Sequence, residues 1–194
     1  MKDKNFFAML SRMKYINRWG LMRNTINENI AEHSLDTAII AHALAVIGNT
    51  YFHKSLNAER IAVLAIFHDT TEIITGDMPT PIKYFAPEIK TAYKNVEKYA
   101  GEQLVSTLPE EMQGEYRRII VDEEKEKENY RYVKAADKLS ALIKCVEELA
   151  MGNADFAQAR EATYQAVKSL HMEEADYFLD NFLPAYSLTL DEQT

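Results

Sequence analysis

The chain has 194 residues, a length that fits one domain and lets a folded protein bury about 70% of its unfolded surface. Its 30 acidic and 22 basic residues give a formal net charge of -8. That charge argues against a nucleic acid polymer or an anionic membrane as partner, because both need clustered Lys and Arg. With 47% hydrophobic and 27% charged residues, the composition is that of a globular protein and excludes extensive disorder. We expect a single domain over residues 1–194.

The cysteine content and the apolar runs bear on the compartment. Cys145 is the one cysteine in the sequence, so no disulfide forms within the chain, which indicates a reducing environment. The apolar run from Phe6 to Leu10 is too short for a signal-peptide core. The longest apolar runs are also shorter than the ~20 residues of a membrane span. These features favour a cytoplasmic protein that is not membrane-embedded.

Apolar residues recur at spacings of three and four through most of the chain, and Gly and Pro are scarce, which predicts an all-α fold. In chain order, the pattern predicts a helix over about 3–14, an ordered loop over 17–29, and helices over about 32–47, 57–75, 87–107, 130–151 and 154–182. In the helix that begins near Glu32 and ends before Gly48, the residues expected to face the core are Leu35, Ile39, Val46 and Ile47.

Two segments without helical periodicity separate these helices. The span 76–81 reads Gly-Asp-Met-Pro-Thr-Pro, and its two prolines predict a stiff, non-helical loop. The acidic span 122–128 lacks an apolar stripe and is expected to be a solvated turn or helix end.

His68 and Asp69 follow directly after the apolar segment IAVLAIF. An imidazole and a carboxylate are costly at the end of a buried segment unless they are paired or bind a metal. A hydrogen-bonded His-Asp pair that caps the helix is the alternative, and the sequence leaves it open. Glu72 lies four residues after His68 and three after Asp69, so on a continuous helix it projects from the same side.

Two further residues extend this pair into a candidate metal site. Asp137 lies in KAADKLSALIK, a predicted core helix, and His33 lies at the start of another helix. Together, His33, His68, Asp69 and Asp137 offer two imidazole nitrogens and two carboxylates from three helices. A borderline divalent metal accepts these ligand types.

This order, a His, then His-Asp, then a later Asp on a helix, resembles the all-helical, metal-dependent HD phosphohydrolase superfamily. The segments NRWGLMRNTINENIAEHS, HDTTEIITGDMPTPIKYF, KAADKLSALIKCVEELAMGN and FLPAYSLTLDE are similar to the bacterial 5'-deoxynucleotidase family, in the same order. Members of that family remove phosphate from deoxyribonucleoside 5'-monophosphates, use a divalent metal such as cobalt or manganese, and form homodimers. The resemblance implies a single HD-domain helical bundle with a metal site between helices, and the same activity, cofactor and homodimeric assembly.

The resemblance also assigns roles to individual residues. It makes His33, His68, Asp69 and Asp137 the metal ligands. The residues that it implies for substrate binding are Arg18, Trp19, Asp69, Asp77, Met78, Pro79, Thr80 and Asp137. Arg18 supplies a fork for phosphate oxygens, and Trp19 a flat wall that crowds a ribose 2'-hydroxyl.

The catalytic residues that we expect are Arg18, Glu72 and Asp77. Glu72 either donates a proton to the leaving 5'-oxygen, holds the attacking water, or orients a ligand histidine. The sequence leaves open which of Glu72 and Asp77 transfers the proton. The alternative functions are another HD phosphohydrolase, acting on a nucleoside triphosphate or a phosphodiester, and a catalytically silent nucleotide-binding regulator.

Overall fold

The computed structural model describes residues 4–83 and 85–194, except for the side chain of Thr80. Within that part of the chain every regular element is helical, and an isolated antiparallel bridge joins Asn17 to Asn29. The prediction of an all-α fold is therefore confirmed. The α-helices of the described residues are α1 (Phe6–Leu10), α2 (Ile30–Tyr51), α3 (Ala58–Phe67), α4 (Glu72–Thr75), α5 (Thr80–Lys83), α6 (Pro87–Ser106), α7 (Glu110–Ile120), α8 (Lys127–Ala150), α9 (Ala157–Lys168), α10 (Glu173–Asn181) and α11 (Leu190–Gln193).

The helices belong to two compact units, each built from several segments of the chain. The first unit holds the described residues of Met1–Leu21, Asn27–Ser34 and Ile66–Lys127. The second unit holds Met22–Ile26, Leu35–Ala65 and Glu128–Thr194. The expectation of one domain over residues 1–194 stays a prediction.

Helix α2 begins at a reciprocal cap and runs further than the sequence predicts. The side chain of Asn29 accepts hydrogen bonds from the N–H groups of Ala31 and Glu32, and the Glu32 carboxylate accepts one from the Asn29 N–H. This is a capping box, which fixes the helix start.

The expected stop before Gly48 is wrong. A Cβ at Gly48 would lie 2.8 Å from Glu174 Oε1, so close packing inside the helix explains this glycine.

The face that α2 buries also differs from the prediction. Leu35 and Ile39 are each 60% exposed and Val46 is 43% exposed, whereas Ile47 is buried as expected. The remaining buried apolar positions of α2 include Ala38, Ile40, Ala41, Leu44 and Ala45. The apolar residues of α2 occur on every side of the helix, so their spacing alone does not identify the face that packs against the core.

By length and composition, α2 passes a test for membrane-spanning helices, with a mean hydropathy of 1.3 over an 18-residue window. However, 56% of that window is buried inside the protein. A buried core helix passes the same test, so this is weak evidence for a membrane.

The predicted helix over residues 57–75 is broken in two. Helix α3 ends at Phe67, a turn follows over residues 68–71, and α4 begins at Glu72. Both the backbone N–H and the hydroxyl of Thr70 donate to the Phe67 carbonyl, which replaces the next helical hydrogen bond. The expectation of a continuous helix from His68 to Glu72 is therefore wrong.

The predicted loop over residues 76–81 is shorter than expected. Residues 76–79 are irregular, but α5 begins at Thr80 and includes Pro81. Proline is tolerated in the first turn of a helix, because the N–H that it lacks has no helical acceptor there. Of the two prolines, only Pro79 therefore lies in the irregular segment.

In the second half of the chain, α6 and α8 match the predicted helices, while α7 was not predicted. The acidic span contains a short 3₁₀ helix over Glu123–Glu126. The predicted helix over 154–182 is interrupted between Lys168 and Glu173, where His171 has a positive φ of 49°. A left-handed residue inside an α-helix ends it, which explains the division into α9 and α10.

An aromatic cluster in the first unit supports the end of α3. Phe6 is 1% exposed, and its ring centroid lies 4.8 Å from that of Tyr116 in α7. Tyr116 in turn lies 5.9 Å from Phe67, the last residue of α3. Edge-on aromatic contacts of this kind add to the stability from burial. They fix the chain immediately before His68 and Asp69.

Candidate active site

His33, His68 and Asp69 converge in the first unit. Each offers one ligand atom, and these atoms all lie within 4.8 Å of one another. Asp69 Oδ2 lies 3.2 Å from His68 Nε2 and 3.6 Å from His33 Nε2. Ligand atoms about 2.0–2.2 Å from one metal lie roughly 3–4 Å apart, so the two distances from Asp69 Oδ2 fit a shared ion.

Two local features bring these side chains together. His33 is fully buried in the first turn of α2, and its backbone N–H donates to the carbonyl of the capping residue Asn29. His68 and Asp69 lie in the turn between α3 and α4. Neighbouring side chains on a helix diverge by about 100°, so leaving the helix lets His68 and Asp69 approach the same point.

Arg18 also contacts this cluster. Its Nη1 donates to Asp69 Oδ2 at 3.2 Å. This one carboxylate oxygen therefore accepts a hydrogen bond from a guanidinium and also lies close to two imidazoles. Burial alone would raise the pKa of Asp69, but His68, His33 and Arg18 together hold the pKa of Asp69 below its usual range. Asp69 is therefore anionic across the neutral range.

Glu28 also contacts Arg18, and the sequence interpretation did not identify this residue. Its Oε2 accepts hydrogen bonds from Arg18 Nε at 3.2 Å and from Trp19 Nε1 at 2.9 Å. Its Oε1 lies 4.0 Å from His33 Nδ1. Glu28 immediately precedes the Asn-x-x-Glu capping signal of α2, which marks where it enters the fold but not which side chains it meets.

Trp19 holds an unusual backbone conformation at this position. Its φ is 59°, in the left-handed region that non-glycine residues rarely adopt. Such a conformation costs about 1–3 kcal/mol, and its side-chain hydrogen bond to a carboxylate is worth about 1.5–3 kcal/mol. The free energy of the indole hydrogen bond is therefore large enough to offset the cost of the strained backbone.

Near this cluster, Glu72 is buried and Asp77 is partly exposed. Burial, together with the charges of Asp69 and Asp77, raises the pKa of Glu72 to about 9. Glu72 Oε2 is buried without a hydrogen-bond partner among the described residues. Burial also raises the pKa of Asp77. Glu72, whose pKa favours the protonated form, and Asp77, whose pKa is raised, lie near an anionic Asp69, and carboxyl groups perturbed in this way are suited to proton transfer.

Side chains of α6 contact the segment on both sides of Asp77. The Tyr93 hydroxyl donates to the Gly76 carbonyl at 3.2 Å and lies 3.1 Å from the Thr75 hydroxyl. Lys83 donates to Glu97 at 3.0 Å, and its Nζ lies 4.8 Å from the Tyr93 ring centroid. The electrostatic neighbours of both Glu72 and Asp77 include Lys83 and Arg18, so basic groups flank the two carboxyls.

The remaining predicted site residues are placed as follows. Met78 and Pro79 are partly exposed in the irregular segment after Asp77. The side chain of Thr80 lies outside the described part of the chain. Asp137 lies in α8 between buried Ala136 and Leu139, and is partly exposed rather than buried. The roles predicted for these four residues stay predictions.

Comparison with known proteins gives this arrangement a context. The family model described as 5'-deoxynucleotidase YfbR-like matches residues 5–186. A 5'-deoxynucleotidase of Pectobacterium atrosepticum is 50% identical over 192 residues, which cover 99% of this chain and 96% of the relative. A 5'-deoxynucleotidase of Vibrio cholerae is 49% identical over 192 residues and is covered to 99%, as is this chain.

Solved structures show the same fold. An HD-domain phosphohydrolase from Listeria innocua has a TM-score of 0.82 at 23% identity, covering 98% of this chain and 92% of that one. A cyanophage S-2L HD phosphohydrolase, solved with dA and one catalytic Zn²⁺ ion, has a TM-score of 0.65 at 19% identity, covering 91% of this chain and 95% of that one. The resemblance to the HD phosphohydrolases and to the bacterial 5'-deoxynucleotidases is thus confirmed. From the family match and the relatives that are half identical over nearly its whole length, the chain belongs to the 5'-deoxynucleotidase YfbR-like family.

Proposed function

We propose that this protein hydrolyses deoxyribonucleoside 5'-monophosphates to deoxyribonucleosides and phosphate, with a divalent metal bound by His33, His68, Asp69 and Asp137. The observation that carries the proposal is the convergence of two imidazoles and a guanidinium on Asp69 Oδ2, in a chain of the 5'-deoxynucleotidase family. Metal and cationic side chain would then act on one phosphate group.

The donor set supports a metal of borderline character. Two imidazole nitrogens and a carboxylate oxygen suit cobalt, manganese or zinc, and a second carboxylate, from Asp137, would balance the charge of a 2+ ion. Cobalt or manganese is the expectation from the family, and zinc is bound by the cyanophage structure. When bound, the ion would polarise a phosphoryl oxygen and make a water molecule more acidic.

The side chains around the cluster have separate roles in this mechanism. Arg18 would bind the phosphoryl oxygens and neutralise charge that develops during the reaction. Trp19 would pack against the deoxyribose, where its ring leaves no room for a 2'-hydroxyl. Asp77 and the segment after it, with Met78, Pro79 and Thr80, would bind the rest of the nucleotide.

Glu72 and Asp77 are the candidates for proton transfer. The leaving 5'-alkoxide needs a proton, and the attacking water must lose one. Glu72 is withdrawn from solvent, and its pKa favours the protonated form, which supports it as the donor to the leaving oxygen. Asp77, which is partly exposed, is the second candidate.

A phosphate-release panel tests the proposed activity. The purified protein would be stripped of metal, reloaded with cobalt, manganese, magnesium or zinc, and assayed on each deoxy and ribo 5'-monophosphate. We expect inorganic phosphate from the deoxy compounds and slower release from the ribo compounds. Release of pyrophosphate or triphosphate from nucleoside triphosphates in place of this activity would contradict the proposal. Tight nucleotide binding without turnover under any metal would identify a regulator instead.

We also propose that the protein is a cytoplasmic homodimer. Cys145 is buried and is the one cysteine of the sequence, so no disulfide forms within the chain, which supports a reducing compartment. In the second unit, Leu35, Ile39 and Val46 form an exposed apolar stripe along α2, because residues four and seven apart share one helix face. The same unit exposes Phe182 and Leu188 to a comparable degree. Apolar side chains exposed in such numbers are typical of a surface that another protein covers.

A further inference from the structure

Glu28 contacts both residues expected to recognise substrate. One of its oxygens, Oε2, accepts from the Arg18 guanidinium and from the Trp19 indole, and the Glu28 side chain is 11% exposed. The backbone reinforces this contact, because the Arg18 N–H donates to the Glu28 carbonyl at 2.9 Å. The Ile30 N–H donates to the Ile16 carbonyl, so residues 16–18 and 28–30 are paired as short antiparallel segments. Glu28 is thereby fixed opposite Arg18.

A carboxylate in this position is unfavourable on charge alone. The proposed substrate carries a dianionic phosphate, and a negative side chain beside Arg18 weakens the attraction for it. A benefit must therefore come from geometry. The Nε bond directs the guanidinium, whose Nη1 then reaches Asp69, and the indole bond orients the ring of a residue with a strained backbone.

We infer that Glu28 is a positioning residue that holds the Arg18 guanidinium and the Trp19 indole in one fixed arrangement, and thereby sets both phosphate alignment and deoxyribose selectivity. The inference rests on the proposed function. It differs from a role for Glu28 as a simple negative charge, because removal of a simple charge would improve the binding of an anionic substrate.

The first test is spectroscopic and needs no activity. Trp19 is the one tryptophan of the chain, so the tryptophan emission of the protein reports on this indole alone. Glu28→Ala removes the acceptor, and we expect a red-shifted emission and stronger quenching by acrylamide. Glu28→Gln keeps one amide oxygen as acceptor, and we expect an intermediate result. The matched control is Glu88→Ala, because Glu88 is an exposed glutamate in the first turn of α6 of the same unit.

The second test is kinetic. Loss of a residue that orients a ligand or catalytic group typically costs 10- to 100-fold, and we expect kcat for deoxynucleoside 5'-monophosphates to fall by about that factor in Glu28→Ala, with a smaller change in KM. The ratio of kcat/KM for deoxy over ribo substrates should fall roughly tenfold, the factor that one hydrogen bond supplies. Glu28→Gln should restore part of both losses. Circular dichroism and thermal melting identify any variant that has not folded, and Glu28→Gln then carries the test.

The two tests separate the inference from the proposed function. If the wild-type protein releases no phosphate from any 5'-monophosphate, the proposed function fails, while the fluorescence still reports on the contact between Glu28 and Trp19. The inference is overturned if both folded Glu28 variants leave Trp19 emission and quenching at wild-type values. It is also overturned if they lower KM without lowering kcat, which is the signature of a simple charge.

Discussion

The tip of the loop over residues 17–29, residues 22–26, is tied to a buried ion pair in α8, and this predicts a large loss of stability on substitution. Glu148 is 1% exposed and Lys144 is 7% exposed, and they pair one helical turn apart. Glu148 also accepts from the N–H groups of Thr25 and Ile26, and Lys144 donates to the Ile26 carbonyl. A single cluster therefore satisfies both charges and the backbone of the loop tip.

Glu148→Ala leaves the Lys144 ammonium buried without its partner. Removal of one member of a buried ion pair costs about 3–5 kcal/mol, because the remaining charge is not solvated. For a chain of this size, each kcal/mol lowers the Tm by about 2–4 °C, so we expect a decrease of roughly 6–20 °C. The control is Glu161→Ala in α9, because the pair of Glu161 with Arg160 is exposed and worth about 0–1 kcal/mol.

Urea unfolding and thermal melting of both variants measure this difference. The pH dependence gives a second readout. Burial would raise the pKa of Glu148, but hydrogen bonds from Lys144, Asn153 and Thr25 lower it overall. Its contribution to stability is thus complete above the unfolded pKa of about 4.3 and is lost as the pH falls below that value. Glu148→Gln should flatten this acid limb. A Glu148→Ala protein no less stable than the Glu161→Ala control would refute the reasoning.

Three further predictions concern the site and the surface. His68→Ala and Asp69→Ala should each abolish both metal content, measured by elemental analysis, and phosphate release; a metal-free variant with full activity would exclude the proposed ligands. Arg18→Ala should retain the metal and lose turnover by about 10³-fold or more, as expected of an arginine that stabilises phosphoryl charge; normal turnover would remove Arg18 from the site. Ile39→Lys, on the exposed stripe of α2, should convert a dimer to a monomer in light scattering at unchanged helicity, whereas a dimer that persists would place the interface elsewhere.

Part of the site could be predicted because the motifs that carry the family resemblance include its residues: residues 17–29 were predicted as an ordered loop, and the resemblance assigned roles to Arg18 and Trp19 in it. The capping box of Asn29 and Glu32 was not predicted, since the helix was expected to begin near Glu32. Arg18, His33, His68 and Asp69, predicted far apart in the chain, lie together in the structure. What could not be read was Glu28, because its contacts with Arg18 and Trp19 depend on how the loop closes rather than on spacing.

The sequence by itself predicted the helical fold class, gave an acidic balance that argues against polyanionic partners, and held the ordered motifs that resemble a metal-dependent phosphohydrolase. Periodicity and composition are properties of the chain alone, so they needed no tertiary contact. Only the tertiary structure decided where α3 ends, since the Thr70 bonds to Phe67 outweigh an apolar pattern that continues past them. It also decided which face of α2 is buried, because apolar residues occur on every side of this helix, and only packing against other segments buries Ile40 and Leu44 while Leu35 and Ile39 stay exposed. The residue types of the site could therefore be taken from the sequence, while the orientation of each functional side chain depended on packing between segments that are distant in the chain.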